Sequence, residues 1–127
     1  MKFYQCAHCK NIIVYAYDKG VPVSCCGEKM KELVPGVVDA AKEKHVPVAE
    51  VNGNLVKVSV GSVLHPMSAE HHIAFVVLET NKGFHKIDLD VTGAPEAVFA
   101  LADGEKAVAV YEYCNLHGLW QNKIFDR

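Results

Sequence analysis

Four of the five cysteines in this chain fall within its first 26 positions, as Cys6-Ala7-His8-Cys9 and the adjacent pair Cys25-Cys26. A segment that short buries too little apolar surface to hold a fold by itself, so its cysteines must act as disulfides or as metal ligands. The Cys-x-x-Cys spacing lets both thiolates reach one ion while nearby backbone amides point at the sulfurs. Four thiolates suit a tetrahedral site for zinc or iron, and the ligands alone do not choose between the two. Adjacent cysteines normally diverge. Both reach one ion only where the backbone bends, and Gly27 directly after them favours such a bend. A thioredoxin-like redox pair at Cys6 and Cys9 would need a βαβ context, and the surrounding sequence does not read as one. With four thiolates completing a shell, His8 reads as a solvent-facing spacer.

The expected compartment also favours metal over disulfides. The opening MKFYQCAHCK has no apolar run or cleavage site of a signal peptide. The longest uncharged stretch, Val58 to Ala69, is far too short to span a bilayer. The expectation is a cytoplasmic chain without membrane partners, in which thiols stay reduced. A net charge of −2 leaves no basic face for nucleic acid.

Two domains are expected. Residues 1–36 hold the four cysteines, a strand-like run at 12–17 and a turn at Asp18–Gly20, and they close on Pro35-Gly36. From 37 to 127 the pattern is nearly all β. Residues 46–60 form two alternating runs about Asn52-Gly53, a strong hairpin signal. IAFVVLET (73–80) reads as a buried strand that stops at Asn81-Lys82-Gly83. FHKIDLDV alternates after it, KAVAVYEYC follows the Asp103-Gly104 turn, and LWQNKIF comes last. Short strands at regular spacing predict an antiparallel sandwich. APEAVFALA (94–102) has helix-forming composition, with strand or turn equally open. The fold class is therefore mainly β, a small metal-binding domain followed by an antiparallel β-sandwich.

Six of the seven histidines lie beyond residue 40, together with the fifth cysteine. His45 sits in EKHVP, His65 precedes Pro66, His71 follows six residues later, and Cys114 and His117 share YCNLHGLW. A single histidine on a β-protein is usually a surface or hydrogen-bonded residue. Pro66, however, restricts the backbone from which His65 projects. Cys114 and His117 alone would read as a nucleophile and its base, which leaves the other histidines unexplained. A metal recruits all five groups. Five protein ligands do not suit zinc, whose structural sites close at four and whose catalytic sites use three. Iron accepts five and keeps a sixth position for chemistry. A thiolate among them pushes electron density toward a bound oxygen species, as in thiolate-ligated haem.

In this order, CAHC…SCC, EKHVP, HPMSAEH and CNLHGLW resemble desulfoferrodoxin, the two-iron family of superoxide reductases, through nearly the whole chain. The resemblance implies a desulforedoxin-like iron site at Cys6, Cys9, Cys25 and Cys26. It implies an immunoglobulin-like sandwich holding a second iron, with His45, His65, His71 and His117 equatorial and Cys114 axial. The family's six-residue spacing selects His71 over His72, which is left beside the site or on the surface. His85 matches nothing in the motif and is expected at the surface. The implied activity is one-electron reduction of superoxide to hydrogen peroxide in oxidative-stress defence. The implied partners are superoxide, a small electron-donor protein such as a rubredoxin, and a second copy of the chain in a homodimer.

On that reading Glu43 and Lys44 are catalytic. Lys44 attracts and orients the superoxide anion, Glu43 takes the sixth iron position in the ferric state and helps displace peroxide, and the amides of Asn115 and Leu116 tune the sulfur. The N-terminal iron is expected mainly to fold residues 1–36, with electron relay as a further role. A rubredoxin-like electron carrier, with the His-rich site as a redox relay, is the competing reading; the open position beside Lys44, which a pure carrier does not need, separates the two. A zinc-stabilised binding module is a third.

Overall fold

Tight turns rather than apolar bulk organise the N-terminal unit, Met1–Val34. The structure, a computed structural model, describes residues 1–38 and 40–124. The strands of this unit are β1 (Phe3–Gln5), β2 (Ile12–Ile13), β3 (Ser24–Cys25), β4 (Glu28–Lys29) and β5 (Lys31–Leu33). β1 is the centre of an antiparallel sheet in the order β2-β1-β5, and β3 pairs with β4. The run expected over 12–17 shortens to two paired residues, because β1 offers only Tyr4 and Gln5 as partners for Ile13 and Ile12. Tyr15 then leaves the ladder, sets its ring edge-on to Tyr4 and donates its hydroxyl to the Val21 carbonyl. The β3–β4 loop is Cys26-Gly27, with φ of 53° and 75°. A two-residue hairpin loop with positive φ at both positions matches strand twist. It also supplies the bend that the adjacent cysteines require.

The C-terminal unit begins at Pro35. A single helical turn, α1 (Lys42–His45), precedes β6 (Pro47–Asn52), β7 (Leu55–Val60), β8 (Ile73–Thr80), β9 (Gly83–Asp88), β10 (Glu96–Ala100), β11 (Ala107–Cys114) and β12 (Gly118–Lys123). These strands form two antiparallel sheets, β10-β7-β6 and β12-β11-β8-β9. The predicted hairpin is present, with Asn52 paired to Leu55 around Gly53. Val56, Val58 and Val60 from one sheet pack with Val76, Leu78 and Val110 from the other, all fully buried. Each such side chain contributes about 1.5–3 kcal/mol on leaving water. Residues 96–100 are strand. Ala97 and Phe99 point into the core while Val98 between them is exposed, so the period of two outweighs the helix-forming composition.

Strand ends assemble one pole of the sandwich. β8 starts at Ile73 where β11 ends at Cys114, and β12 starts at Gly118, the residue paired with Cys114. The α1 turn is held nearby: Val63 N–H and the Ser62 hydroxyl both donate to the Glu43 carbonyl. Gly61 permits this approach, since a Cβ there would lie 2.6 Å from the Glu43 carbonyl oxygen and 3.0 Å from that of Val46. No helix among the described residues is long and apolar enough to cross a membrane.

Candidate metal centres

Two groups of side chains converge with metal-ligand chemistry. In the N-terminal unit the sulfurs of Cys6, Cys9, Cys25 and Cys26 lie within 4.8 Å of one another. All four thiols are free. The amides of His8 and Cys9 both donate to Cys6 Sγ at 3.4 Å, as the knuckle spacing predicts. The Cys9 amide, more than any other group, draws the Cys6 thiol down to about 6. Cys26 is pushed up to about 12, first by its hydrogen-bonded neighbour Cys9 and then by Cys6. Four crowded thiols thus cannot all ionise without a cation among them, and the residues fit a thiolate-bound metal. His8 is exposed, but its Nε2 lies 2.6 Å from Glu28 Oε2 and spans the two cysteine loops.

In the C-terminal unit, His45, His65, His71, His117 and Cys114 bring five ligand atoms within the same 4.8 Å. The imidazoles form a ring. His45–His65, His65–His71, His71–His117 and His117–His45 have centroids 4.7, 4.5, 5.2 and 4.8 Å apart, each pair near perpendicular. His45 and His71 face each other across it at 6.5 Å. Cys114 Sγ lies 3.4 Å from His65 Nε2 and 3.8 Å from His117 Nδ1.

Hydrogen bonds outside the ring set the tautomers inside it. His45 Nδ1 and His65 Nδ1 each lie 2.7 Å from a carbonyl, of Ala41 and Pro66. A carbonyl only accepts, so both Nδ1 atoms carry the proton and both Nε2 atoms turn lone pairs inward. Those two Nε2 atoms are 3.2 Å apart, and His117 Nδ1 is 3.1 Å from that of His45. His71 Nε2 is buried with no hydrogen-bond partner among the described residues. Burial depresses His45, His65 (to about 4) and His71, which disfavours a proton as the separating charge. Converging lone pairs, an orphaned buried nitrogen and a thiol fit a bound metal cation. Burial pushes the Cys114 thiol up, and the amides of Leu116 and His117 oppose it.

The structure corrects one expectation and adds three residues. The Asn115 amide does not face the sulfur; it donates to the His72 carbonyl at 3.2 Å, and the His117 amide takes its place beside Leu116. The register slip between Tyr113 and Cys114 turns Asn115 toward residues 70–72. Trp120, unremarked in the sequence, is buried 5.1 Å from the His45 ring and donates Nε1 to the His117 carbonyl. The Asn115 side chain also takes part, hydrogen-bonding on both sides of His71. Glu112 is the third: it is fully buried, its carboxyl has no partner among the described residues, and burial pushes it up to about 9. Its one sequence signal is the alternation Val110, Glu112, Cys114, which places all three on one face of β11.

Glu43 and Lys44 are exposed residues of α1. The Lys44 charge nevertheless depresses both His45 and His71, and that of Glu43 opposes it at His45. Glu43 is not among the five converging groups. His72 turns away, its Nδ1–H donating to the Ser68 carbonyl at 2.9 Å. His85 is partly exposed, 2.8 Å from Glu105 Oε2.

A family model described as Desulfoferrodoxin matches residues 37–123. A desulfoferrodoxin of Nitratidesulfovibrio vulgaris is 46% identical over 120 residues, 94% of either chain. Among solved structures, the superoxide reductase from Treponema pallidum matches with a TM-score of 0.82 and 46% identity, over 96% of this chain and 98% of its own. The superoxide reductase (1Fe-SOR) from Giardia intestinalis matches with a TM-score of 0.51 and 35% identity, over 65% of this chain and 98% of its own.

Proposed function

This chain belongs to the desulfoferrodoxin family and is a superoxide reductase, and from that premise we propose that its imidazole–thiol cluster holds the iron at which superoxide is reduced. One observation carries the assignment: five ligand atoms, with inward lone pairs on His45 and His65, meet within 4.8 Å. Four imidazoles and a thiolate exceed the four ligands of a structural zinc site and suit iron. Iron bound there supplies the single electron that, with two protons, turns superoxide into hydrogen peroxide.

The chain's own residues do the rest. Lys44 places a positive charge beside the cluster, a local attraction for the anion that a net charge of −2 does not provide. Its exposure leaves the ammonium free to meet superoxide at the surface. Glu43, the exposed neighbour of Lys44, would offer its carboxylate to an iron held by the five groups and so would help displace product. The amides of Leu116 and His117 hold negative charge on the Cys114 sulfur. His45 and His65 are fixed by their carbonyl partners and need no reorganisation to bind.

The four-cysteine cluster is assigned a second iron, which folds the N-terminal unit and is available as an electron relay. The Giardia protein is described as a one-iron reductase and matches 65% of this chain, which supports catalysis by the C-terminal unit alone. A small donor protein such as a rubredoxin, a homodimer and a cytoplasmic setting complete the proposal, and the five free thiols are consistent with that setting.

Product analysis after a superoxide pulse on anaerobically reduced protein tests the cluster assignment. The expected result is peroxide without dioxygen, one electron being consumed per C-terminal iron. Dioxygen alongside peroxide would mean dismutation. Unaccelerated loss of superoxide would sink the proposal and leave an electron carrier.

A further inference from the structure

We propose that Asn115 is a positioning residue of the iron site, its side chain locking the segment that carries His71 to the strand that carries Cys114. The imidazoles are held in different ways. His45 and His65 are fixed through their rings, each donating Nδ1–H to a carbonyl at 2.7 Å. His71 has no carbonyl brace of this kind among the described residues, and its buried Nε2 has no partner. Its direction is set by its backbone.

Two residues hold that backbone. Ser68 Oγ accepts from the His71 amide at 3.1 Å, and the Ser68 amide donates to the His71 carbonyl at 2.9 Å. Asn115 brackets His71 from the other side. Its Nδ2 donates to the Glu70 carbonyl at 2.9 Å, and its Oδ1 accepts the His72 amide at 2.9 Å. Its own amide donates to the His72 carbonyl at 3.2 Å. The β8–β11 ladder slips between Tyr113 and Cys114, and Asn115 continues it past the slip with side-chain atoms in place of a strand. Both neighbours of His71 are thereby tied to the residue that follows Cys114. The donor and the acceptor must both be present at this reach. Asp lacks the donor, Gln is a methylene too long, and Ala leaves an amide and a carbonyl unpartnered.

The proposal rests on the iron reading above, and the test separates the two. Iron-loaded full-length Asn115→Ala is compared with wild type by the thiolate-to-iron charge-transfer band of the oxidised protein and by the rate of iron loss to a chelator. The expected result is a shifted band and C-terminal iron loss roughly ten- to a hundredfold faster, with the N-terminal absorption unchanged. A lowered unfolding midpoint with wild-type band and release rate would reduce Asn115 to a structural residue and overturn the proposal. Asn115→Asp keeps the acceptor for His72 and is expected to give a smaller shift and an intermediate release rate. Should the Ala variant not fold, a wild-type band and release rate in the Asp variant overturn the proposal. Wild-type protein that takes no iron at the cluster overturns this proposal and the iron reading together.

Discussion

Lys44 precedes a buried imidazole by one residue, and that single step puts its charge at the surface while its influence reaches His45 and His71. Lys44→Ala should slow the second-order reaction with superoxide, roughly tenfold at low salt, and flatten its dependence on ionic strength while iron stays bound. Pulse kinetics across a salt series check this; an unchanged low-salt rate would remove Lys44 from the mechanism. At this scale the sequence was legible wherever chemistry demands a residue type. Cysteine and histidine are the common soft and borderline ligands, so their positions announced both clusters. Asn115 and Trp120 were illegible because each acts through register, and Glu112 showed only in the alternation along β11. Nothing short of the β8–β11 slip turns Asn115 toward His71, and nothing in composition places a carboxyl in a valine-lined core.

Elements carry two further predictions. Gly61 lies under α1, and its missing Cβ is what allows the helical turn bearing His45 to sit against the end of β7. Gly61→Ala should cost about 1–3 kcal/mol by overpacking and loosen iron at the C-terminal cluster, as read by thermal unfolding and the charge-transfer band. The second concerns the opposite pole, where Glu105 ties the loop before β11 to the β8–β9 hairpin. Its carboxylate is held down to about 2, first by the Thr80 hydroxyl, then by the Ala102 amide and His85. The folded value lies below the unfolded one of about 4.3, so this stability is present above pH ~4.3 and is lost as pH falls toward 2. Urea midpoints measured from neutral to acid pH should fall less steeply for Glu105→Gln than for wild type, the two converging near pH 2. Identical slopes would show that the carboxylate contributes nothing. The hairpin at Asn52-Gly53 was legible because turn chemistry is local. α1 was not, since one helical turn has no period to read and is fixed by hydrogen bonds from Ser62 and Val63.

At the scale of the molecule the chain has two dissimilar ways of being stable. The C-terminal unit has a valine-rich core between two sheets, whereas the N-terminal unit has little beyond Phe3, Cys6 and its turns. Cys9→Ser should therefore strip the N-terminal iron and expose residues 1–34 to protease, while superoxide reduction by the rest persists. Limited proteolysis with a superoxide pulse on the same sample checks both halves of that statement. Loss of activity in step with the N-terminal absorption would make the relay indispensable.

The spacing of the ligands along the chain also orders events during synthesis. The four thiolates are complete once residue 26 has emerged, so the N-terminal knuckle can close on an ion while the sandwich is still being made. The other cluster joins His45 to His117 across 72 positions, and its ring cannot close until the end of β11 and His117 have been made. One ribosome thus presents two metal ports in succession, the first almost at once and the second only after β11 has been threaded beside β8.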